Sequence, residues 1–238
     1  MGTYRIVTDS TTDLTPELIQ ELDVQVIPLC YMMGGKTYHN IPGGGEMTDK
    51  EFYAKLRAGS MSTTTQVNSE EFLHVFTPLL EAGQDVLYIA FSSGLSGTYQ
   101  SAVLAREELK QRFPDRRLEV FDSLCASMGE GLLVYHAAKL RQAGKSLDEV
   151  LAWLKENVLN LCHWSTVDDL NHLKRGGRVS TATALVGTML GIKPVLHVDD
   201  EGHLIPVSKV RGRKQSLDAL VRRMEDTVLD PGNQMVFI

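Results

Sequence analysis

The sequence predicts an α/β fold, with a parallel β-sheet in the first part of the chain and a smaller α/β domain after it. The clearest strand, residues 85–91, is almost continuously apolar, as is typical of a parallel strand buried on both faces. Strand-like and helix-like segments alternate up to residue 158, which predicts helices on the faces of the sheet. From about residue 160 the pattern changes to short strands and a hairpin. We therefore place a boundary near 155–165 and expect domains 1–160 and 161–238.

The elements of the first domain follow from helix-capping residues and apolar spacing. Thr15 before Pro16 is typical of a helix start, and Ser146 with Glu149 forms a capping box. Gly144 ends the preceding helix. Segments 32–45, rich in glycine, and 61–69, rich in hydroxyl groups, are predicted to be loops. Strands are predicted at 4–7, 24–29, 85–91 and 118–121, and helices at 16–22, 48–56, 70–80, 98–110, 128–143 and 147–158.

The second domain is predicted to combine a hairpin with short helices. Asp199-Asp200-Glu201-Gly202 is typical of a turn between two strands. Strands are predicted at 161–167, 194–198 and 203–210, with the start of another at 235–238, and helices at 170–174, 181–190 and 217–228.

Composition excludes several classes of protein. With 238 residues, 43% hydrophobic and 23% charged, the chain is long enough to bury a core without disulfide bonds. Its three cysteines are isolated in sequence, which argues against a zinc site or a redox pair. The longest nearly uncharged apolar stretch, 182–192, is well short of the ~20 residues that span a bilayer, and no signal peptide is recognisable. We therefore expect a cytoplasmic protein.

Basic residues concentrate in the second domain. Residues 171–238 hold ten basic and seven acidic side chains, whereas the whole chain has a net charge of −6. The cluster is consistent with an anionic ligand or an acidic partner, and equally with a solvated surface. The pI of about 5.6 and the lack of a stripe of aromatic and basic residues argue against nucleic acid.

The strongest candidate site is the segment Phe91–Thr98, which joins the clearest strand to a helix. Ligands bind at this place in open α/β sheets, and free N–H groups at a helix start favour an anion. The segment matches neither GxxxxGK[ST] nor GxGxxG, and no lysine follows its glycines. Its neutral hydroxyl groups suit a singly charged group such as a carboxylate better than a triphosphate. A plain helix cap with a flexible turn is the alternative.

Two other hydroxyl-rich segments, 8–12 and 62–66, belong to the same prediction. In a parallel sheet, segment 8–12 emerges at the same edge as Ser92–Ser96, and Thr64 is expected to fold toward that edge. A hydrolase or transferase using Ser93 or Ser96 is the alternative function, although the G-x-S-x-G elbow is absent and the histidines are scattered. A regulatory module that binds another small carboxylate is a third. No metal site is expected.

Several segments resemble those of the DegV family and occur in the order found there. They cover nearly the whole chain, and together they are highly specific. They are Val7-Thr8-Asp9-Ser10-Thr11-Thr12-Asp13-Leu14, Thr64-Thr65-Gln66, Ser92–Ala102, Leu173-Lys174-Arg175-Gly176-Gly177-Arg178-Val179-Ser180 and Lys209-Val210-Arg211-Gly212.

The resemblance implies a two-lobed fold, with a three-layer α/β/α domain followed by a two-layer α/β domain. It implies a bacterial lipid-binding protein of phospholipid metabolism, which holds a long-chain fatty acid between the lobes. The protein itself is expected to have no catalytic activity and no cofactor. Similar proteins present the fatty-acid carboxylate to a separate kinase subunit that forms acyl phosphate. Transient contact with a membrane surface is compatible with this role.

The resemblance also assigns residues to the ligand. Thr64 and Ser93 are expected to hydrogen-bond the carboxylate, and Arg175 and Arg178 to lie near the head group and the kinase-docking face. Further head-group candidates are Ser10, Thr65, Ser92 and Ser96. Candidate contacts with the tail, for which core packing is the alternative, are Val186, Met189, Leu190 and Ile192.

Two departures from the family pattern stand out. Val67 replaces a proline that is common after the glutamine, and the sequence ends at Ile238, before a His-Gly-Pro-Gly segment near the head group of family members. The second domain is therefore expected to be truncated at its C-terminus, without that histidine; the alternative is that carboxylate binding is altered.

Overall fold

We analysed a computed structural model of the chain, which describes residues 4–168, 170–179 and 191–238. The chain divides into two compact units, residues 1–158 and 159–238. The first unit is built on a four-stranded parallel sheet, and each unit also contains a three-stranded antiparallel sheet. The predicted α/β class with a parallel sheet is confirmed.

The strands of the first unit are β1 (Tyr4–Asp9), β2 (Gln25–Ile27), β3 (Cys30–Met33), β4 (Lys36–His39), β5 (Ser62–Thr65), β6 (Asp85–Ala90) and β7 (Leu118–Asp122). Its helices are α1 (Pro16–Leu22), α2 (Asp49–Arg57), α3 (Ser69–Glu81), α4 (Thr98–Arg112), α5 (Ser127–Gln142) and α6 (Leu147–Asn157). A short 3-10 helix, Ser10–Thr12, follows β1 directly. The predicted caps are present: the Thr15 hydroxyl accepts the Leu18 amide at 3.3 Å, and Ser146 and Glu149 form a capping box.

The parallel sheet has the order β2-β1-β6-β7, and helices cover both of its faces. Alternate residues of a strand point to opposite faces. Val7 and Tyr88 pack into a buried cluster with residues of α3 and α4. Thr8, the neighbour of Val7, instead contacts Glu130 of α5. Because β1 and β6 pair in parallel, their carboxyl ends lie at the same edge of the sheet, between the helices on its two faces.

The second sheet of this unit has the order β4-β3-β5. Two segments that were predicted to be loops contribute strands to it, so those predictions are wrong. Segment 32–45 contains the β3–β4 hairpin, which turns at Gly34 and Gly35 with φ of +60° and +78°. A Gly-Gly pair is the residue choice for such a two-residue turn, and this was the overlooked signal. Segment 61–69 contains β5, which pairs antiparallel with β3 and places Thr64 opposite Tyr31.

The second unit contains β8 (Trp164–Ser165), β9 (Ile192–Val198) and β10 (Leu204–Arg211), and the helices α7 (Leu170–Arg175) and α8 (Arg213–Thr227). The predicted hairpin is confirmed as β9 and β10, with an irregular register near Pro206. The strand predicted at 161–167 shrinks to two residues, and α8 begins one turn earlier than predicted. Residues 235–238 form no strand with any described residue, so that prediction is wrong. The helix predicted at 181–190 lies outside the described residues.

Candidate functional site

The turn between β6 and α4 is closed by its own hydrogen bonds. The Ser92 carbonyl accepts the amides of Leu95 at 3.0 Å and Ser96 at 3.1 Å. The Ser92 hydroxyl oxygen accepts the Gly94 amide at 3.1 Å, and the Ser93 amide donates to Asp122 Oδ1 at 3.2 Å. The expectation of free N–H groups is therefore wrong for residues 93–96, because the turn consumes these donors itself.

The serine hydroxyls of this turn differ in what they have left to offer. Ser92 is fully buried, and its oxygen holds the turn. Ser96 Oγ lies 2.9 Å from Thr98 Oγ1 and accepts the Thr98 amide at 3.2 Å, at the start of α4. Ser93 is exposed, and its hydroxyl has no hydrogen bond within the described part of the chain. Ser93 therefore retains its full donor and acceptor capacity at the surface.

The geometry does not show a catalytic serine. No histidine ring hydrogen-bonds to Ser93 or Ser96 among residues 4–168, 170–179 and 191–238. A serine nucleophile needs such a base within about 3 Å. The described residues also include no group of three or more metal-ligating side chains.

The Thr64–Gln66 segment is tied to the same turn. Thr64 and Thr65 are exposed in β5, and the Thr65 hydroxyl donates to the Cys30 carbonyl at 3.5 Å. After the strand, the Gln66 side chain donates to Ser101 Oγ at 3.2 Å. The Val67 amide donates to Thr98 Oγ1 at 3.3 Å. Two of the three predicted hydroxyl-rich segments are thus held together by direct contacts with the start of α4.

Gly97 makes this contact sterically feasible. A Cβ atom built on Gly97 would collide with Oε1 of Gln66. Its backbone lies at φ −74° and ψ 1°, where any residue is allowed, so the glycine serves close approach rather than an unusual backbone conformation.

Ser10 supports the first hydroxyl-rich segment from inside. It is only 3% exposed, and its hydroxyl oxygen accepts the Leu29 amide at 3.0 Å. Its carbonyl accepts from the Asn40 amide group at 3.5 Å. Ser10 therefore joins the turn after β1 to the segment between β2 and β3 and to the residue that follows β4.

Two buried carboxyl groups, those of Asp9 and Glu130, lie next to the turn after β1 and were not singled out from the sequence. Asp9 ends β1 and Glu130 lies in the first turn of α5, and both are 0% exposed. The Thr11 hydroxyl oxygen lies 2.5 Å from Asp9 Oδ1 and 2.7 Å from Glu130 Oε2. Burial raises the pKa of both carboxyl groups, and that of Glu130 far above its usual range. The available signal was an acidic residue flanked by Gly129 and Gly131, next to the apolar run Leu132–Val134.

Asp9 connects the turn after β1 to the turn between β6 and α4. Its Oδ2 accepts the Tyr88 hydroxyl at 2.7 Å and the Phe91 amide at 3.2 Å. Its Oδ1 accepts the Thr11 amide at 3.0 Å. Because Phe91 immediately precedes Ser92 and Ser93, the Asp9 carboxyl group fixes where the second turn begins.

The predicted residues of the second unit are described only in part. Arg175 Nη2 lies 3.4 Å from His172 Nδ1, and the Arg178 guanidinium donates to the Gly176 carbonyl. Arg175 is the last residue of α7, and Arg178 lies in the turn that follows it. Ile192 begins β9 and is half-buried. The other three predicted tail contacts, Val186, Met189 and Leu190, lie outside the described residues. Among the helices that the structure describes, none has the length and hydropathy of a bilayer span.

Comparison with known proteins identifies relatives along the whole chain. The family model described as "Uncharacterised protein, DegV family" matches residues 3–238. The DegV domain-containing protein CPE0026 of Clostridium perfringens is 44% identical over 239 residues, which cover all of this chain and 81% of that protein.

Solved structures show the same fold with fatty-acid ligands in their descriptions. One is described as "Fatty Acid Binding of a DegV family Protein from Thermus thermophilus"; it is 37% identical, with a TM-score of 0.79 over 94% of this chain and 79% of that one. Another is a stearic acid-binding protein from Eubacterium ventriosum, 26% identical, with a TM-score of 0.82 over 94% of this chain and 78% of that one.

Proposed function

The chain belongs to the DegV family, and on this premise we propose that it binds a long-chain fatty acid through the hydroxyl groups of Thr64 and Ser93. One observation carries the proposal. Among the six hydroxyl residues predicted for the head group, these two are exposed and have no hydrogen bond to a described residue. Relatives described as fatty-acid-binding proteins support the choice of ligand.

Neutral hydroxyl donors suit a carboxylate that must later react. A hydroxyl hydrogen bond to a charged acceptor is stronger than one between neutral groups, so two of them satisfy much of the hydrogen-bonding demand of the carboxylate. Burial of about fourteen CH₂ groups of a sixteen-carbon chain contributes on the order of 11 kcal/mol before losses. The carboxylate therefore needs only to have its hydrogen bonds satisfied, because burial of the tail supplies most of the binding free energy.

The finer part of the proposal concerns the fate of the carboxylate. We propose that the protein has no catalytic activity of its own and presents the carboxylate to a kinase subunit for acyl-phosphate formation. Arg175 and Arg178 are the proposed docking and head-group cations, since Arg175 ends α7 and Arg178 lies in the turn after it, in a basic part of the chain. Replacing both by alanine is expected to slow acyl-phosphate formation with ATP and the kinase, while palmitate binding without the kinase persists. Unchanged acyl-phosphate formation would contradict the docking role.

The binding function is tested with ligands that share one tail. Native mass spectrometry of protein purified from bacteria is expected to show a co-purified fatty acid. After delipidation, palmitate is expected to raise the melting temperature more than 1-hexadecanol, which carries the same tail without the carboxylate. A clean apo mass together with no shift by palmitate would contradict fatty-acid binding. Equal shifts by the two ligands would contradict recognition of the carboxylate.

A further inference from the structure

We propose that Asp9 and Glu130 are positioning residues of the carboxylate site and that the pair carries one proton, which resides on Glu130. Glu130 donates a hydrogen bond to the Thr11 hydroxyl, which in turn donates to Asp9. The role in binding rests on the proposed function, whereas the placement of the proton does not. No contact of either carboxyl group with the ligand is implied, because both side chains are fully buried.

The placement of the proton follows from counting donors. The Thr11 hydroxyl has one hydrogen but two carboxyl neighbours, at 2.5 Å and 2.7 Å. One of these contacts must therefore be a bond in which the carboxyl group donates. Asp9 already accepts three other donors, namely the Thr11 amide, the Tyr88 hydroxyl and the Phe91 amide. A carboxyl group with this many donors is held as the anion, so the Thr11 hydroxyl also donates to Asp9.

Glu130 has the opposite surroundings. Its second oxygen lies 3.3 Å from the Thr8 hydroxyl, which points its hydrogen at the Ile89 carbonyl at 2.9 Å. Neither neighbouring hydroxyl thus has a hydrogen to spare for Glu130, and a fully buried carboxylate without donors is very costly. The neutral acid, in contrast, donates to Thr11 Oγ1 and completes the chain of hydrogen bonds.

The charges around Glu130 favour the same protonation state. The carboxylates of Asp9 and Asp13 both raise its pKa, in addition to burial. Tyr88 and Cys125, the other titratable neighbours, stay neutral, since burial raises the pKa of Tyr88 far above 10 and that of Cys125 to about 12.

The chain of bonds ends at the proposed site. It runs from α5 through Thr11 and Asp9 to the Phe91 amide, two residues before Ser93. Gly131 permits the approach of α5, because a Cβ atom there would lie 2.7 Å from the Thr12 carbonyl oxygen. One end of this series of hydrogen bonds is therefore fixed to α5. The other end fixes the start of the turn that carries the exposed Ser93 hydroxyl.

The proton is tested by infrared difference spectroscopy at neutral pH between the wild type and Glu130→Gln. We expect the C=O band of a protonated carboxylic acid in the wild type and its loss in the variant, with Glu107→Gln, an exposed glutamate on α4, as the control that keeps the band. Carboxylate bands alone in the wild type would overturn the placement of the proton.

The positioning role is tested by palmitate affinity, with the fold of each variant checked by circular dichroism. Thr11→Val removes the hydroxyl at nearly constant shape and is expected to weaken binding at least fivefold, and Thr11→Ser is expected to restore most of the affinity. Wild-type affinity in Thr11→Val would overturn positioning. If the wild type itself binds no palmitate, the proposed function and the positioning role fall together, and the infrared result still decides the proton. If Thr11→Val does not fold, Asp9→Asn, which replaces one of the two acceptor oxygens by an amide NH2 donor, takes its place with the same expectation.

Discussion

The hydroxyl-rich segments contain two sets of residues, an inner layer and an outer layer, that look alike in sequence and differ in burial. In the inner layer, Ser10 is 3% exposed and Ser92 and Asp9 are 0% exposed, and a side-chain oxygen of each accepts a backbone amide. In the outer layer, Thr64 and Ser93 are exposed, with hydroxyl groups that bond to no described residue. Inner hydroxyls replace water for the backbone of the turns, whereas outer hydroxyls remain available to a ligand.

This difference separates stability from binding. Loss of an inner group leaves a buried donor or acceptor unsatisfied, so it lowers the free energy of unfolding. Loss of an outer hydroxyl is expected to leave the folded chain almost unchanged and, on the proposed function, to remove a ligand contact. Substitutions in the two layers should therefore change different measurements, and the following predictions test this, in order of decreasing effect.

The largest effect is expected from Asp9→Ala, in the inner layer. The substitution leaves the Tyr88 hydroxyl and the Phe91 and Thr11 amides without their acceptor. At about 1–3 kcal/mol for each unsatisfied buried group, the free energy of unfolding should fall by more than about 3 kcal/mol in urea titrations. Asp115→Ala, at an exposed aspartate in a turn, should stay within about 0.5 kcal/mol of the wild type. A loss below about 1 kcal/mol for Asp9→Ala would mean that the inner layer is not structural.

The next effect is the pH dependence of stability through Glu130. Its folded pKa lies above the ordinary value of 4.5, so the native state keeps a proton that the unfolded state releases. The stabilisation is fully present below the ordinary pKa and is lost as pH rises toward the folded pKa, at up to about 1.4 kcal/mol per pH unit.

Glu130→Gln cannot titrate, so its stability should fall less steeply than that of the wild type between pH 5 and 8. Urea titrations of both proteins at several pH values give the two slopes. Parallel slopes would contradict a neutral Glu130 in the folded protein.

A smaller effect is expected where Gly97, before α4, contacts the Gln66 side chain, after β5. Gly97→Ala places a methyl group against the Gln66 amide, which must move away from Ser101. Because the displaced atoms end a flexible side chain, the loss of stability should be about 1 kcal/mol or less. In a Gln66→Ala background the same change should cost nothing. A double-mutant cycle measures the difference, and an equal cost in both backgrounds would exclude the contact as its cause.

The sequence predicts the parallel sheet well because its signals are local. The apolar run of β6 and the caps at Thr15 and Ser146 are independent of distant residues, and all three appear in the structure. The antiparallel sheet was missed because Thr63 and Thr64 are exposed and gain their strand conformation only by pairing with β3. Strand pairing of this kind depends on tertiary context rather than on residue preference.

The candidate site was predictable in its segments but not in its layers. Ser92 and Ser93 are adjacent and identical, and only the fold shows that one is buried and the other exposed. Asp9 and Glu130 are 121 residues apart, and their contact through Thr11 exists only once α5 packs against the turn after β1.

The most direct measurement is calorimetric titration of palmitate into the wild type, Thr64→Val, Ser93→Ala and the double variant, with urea unfolding of each protein. Each single substitution should weaken binding by about 1–3 kcal/mol, the usual cost of a lost partner for a charged group, and the double variant should bind most weakly. The free energies of unfolding should agree within about 0.5 kcal/mol. Unchanged palmitate affinity in the double variant would contradict the claim that these two exposed hydroxyls hold the carboxylate.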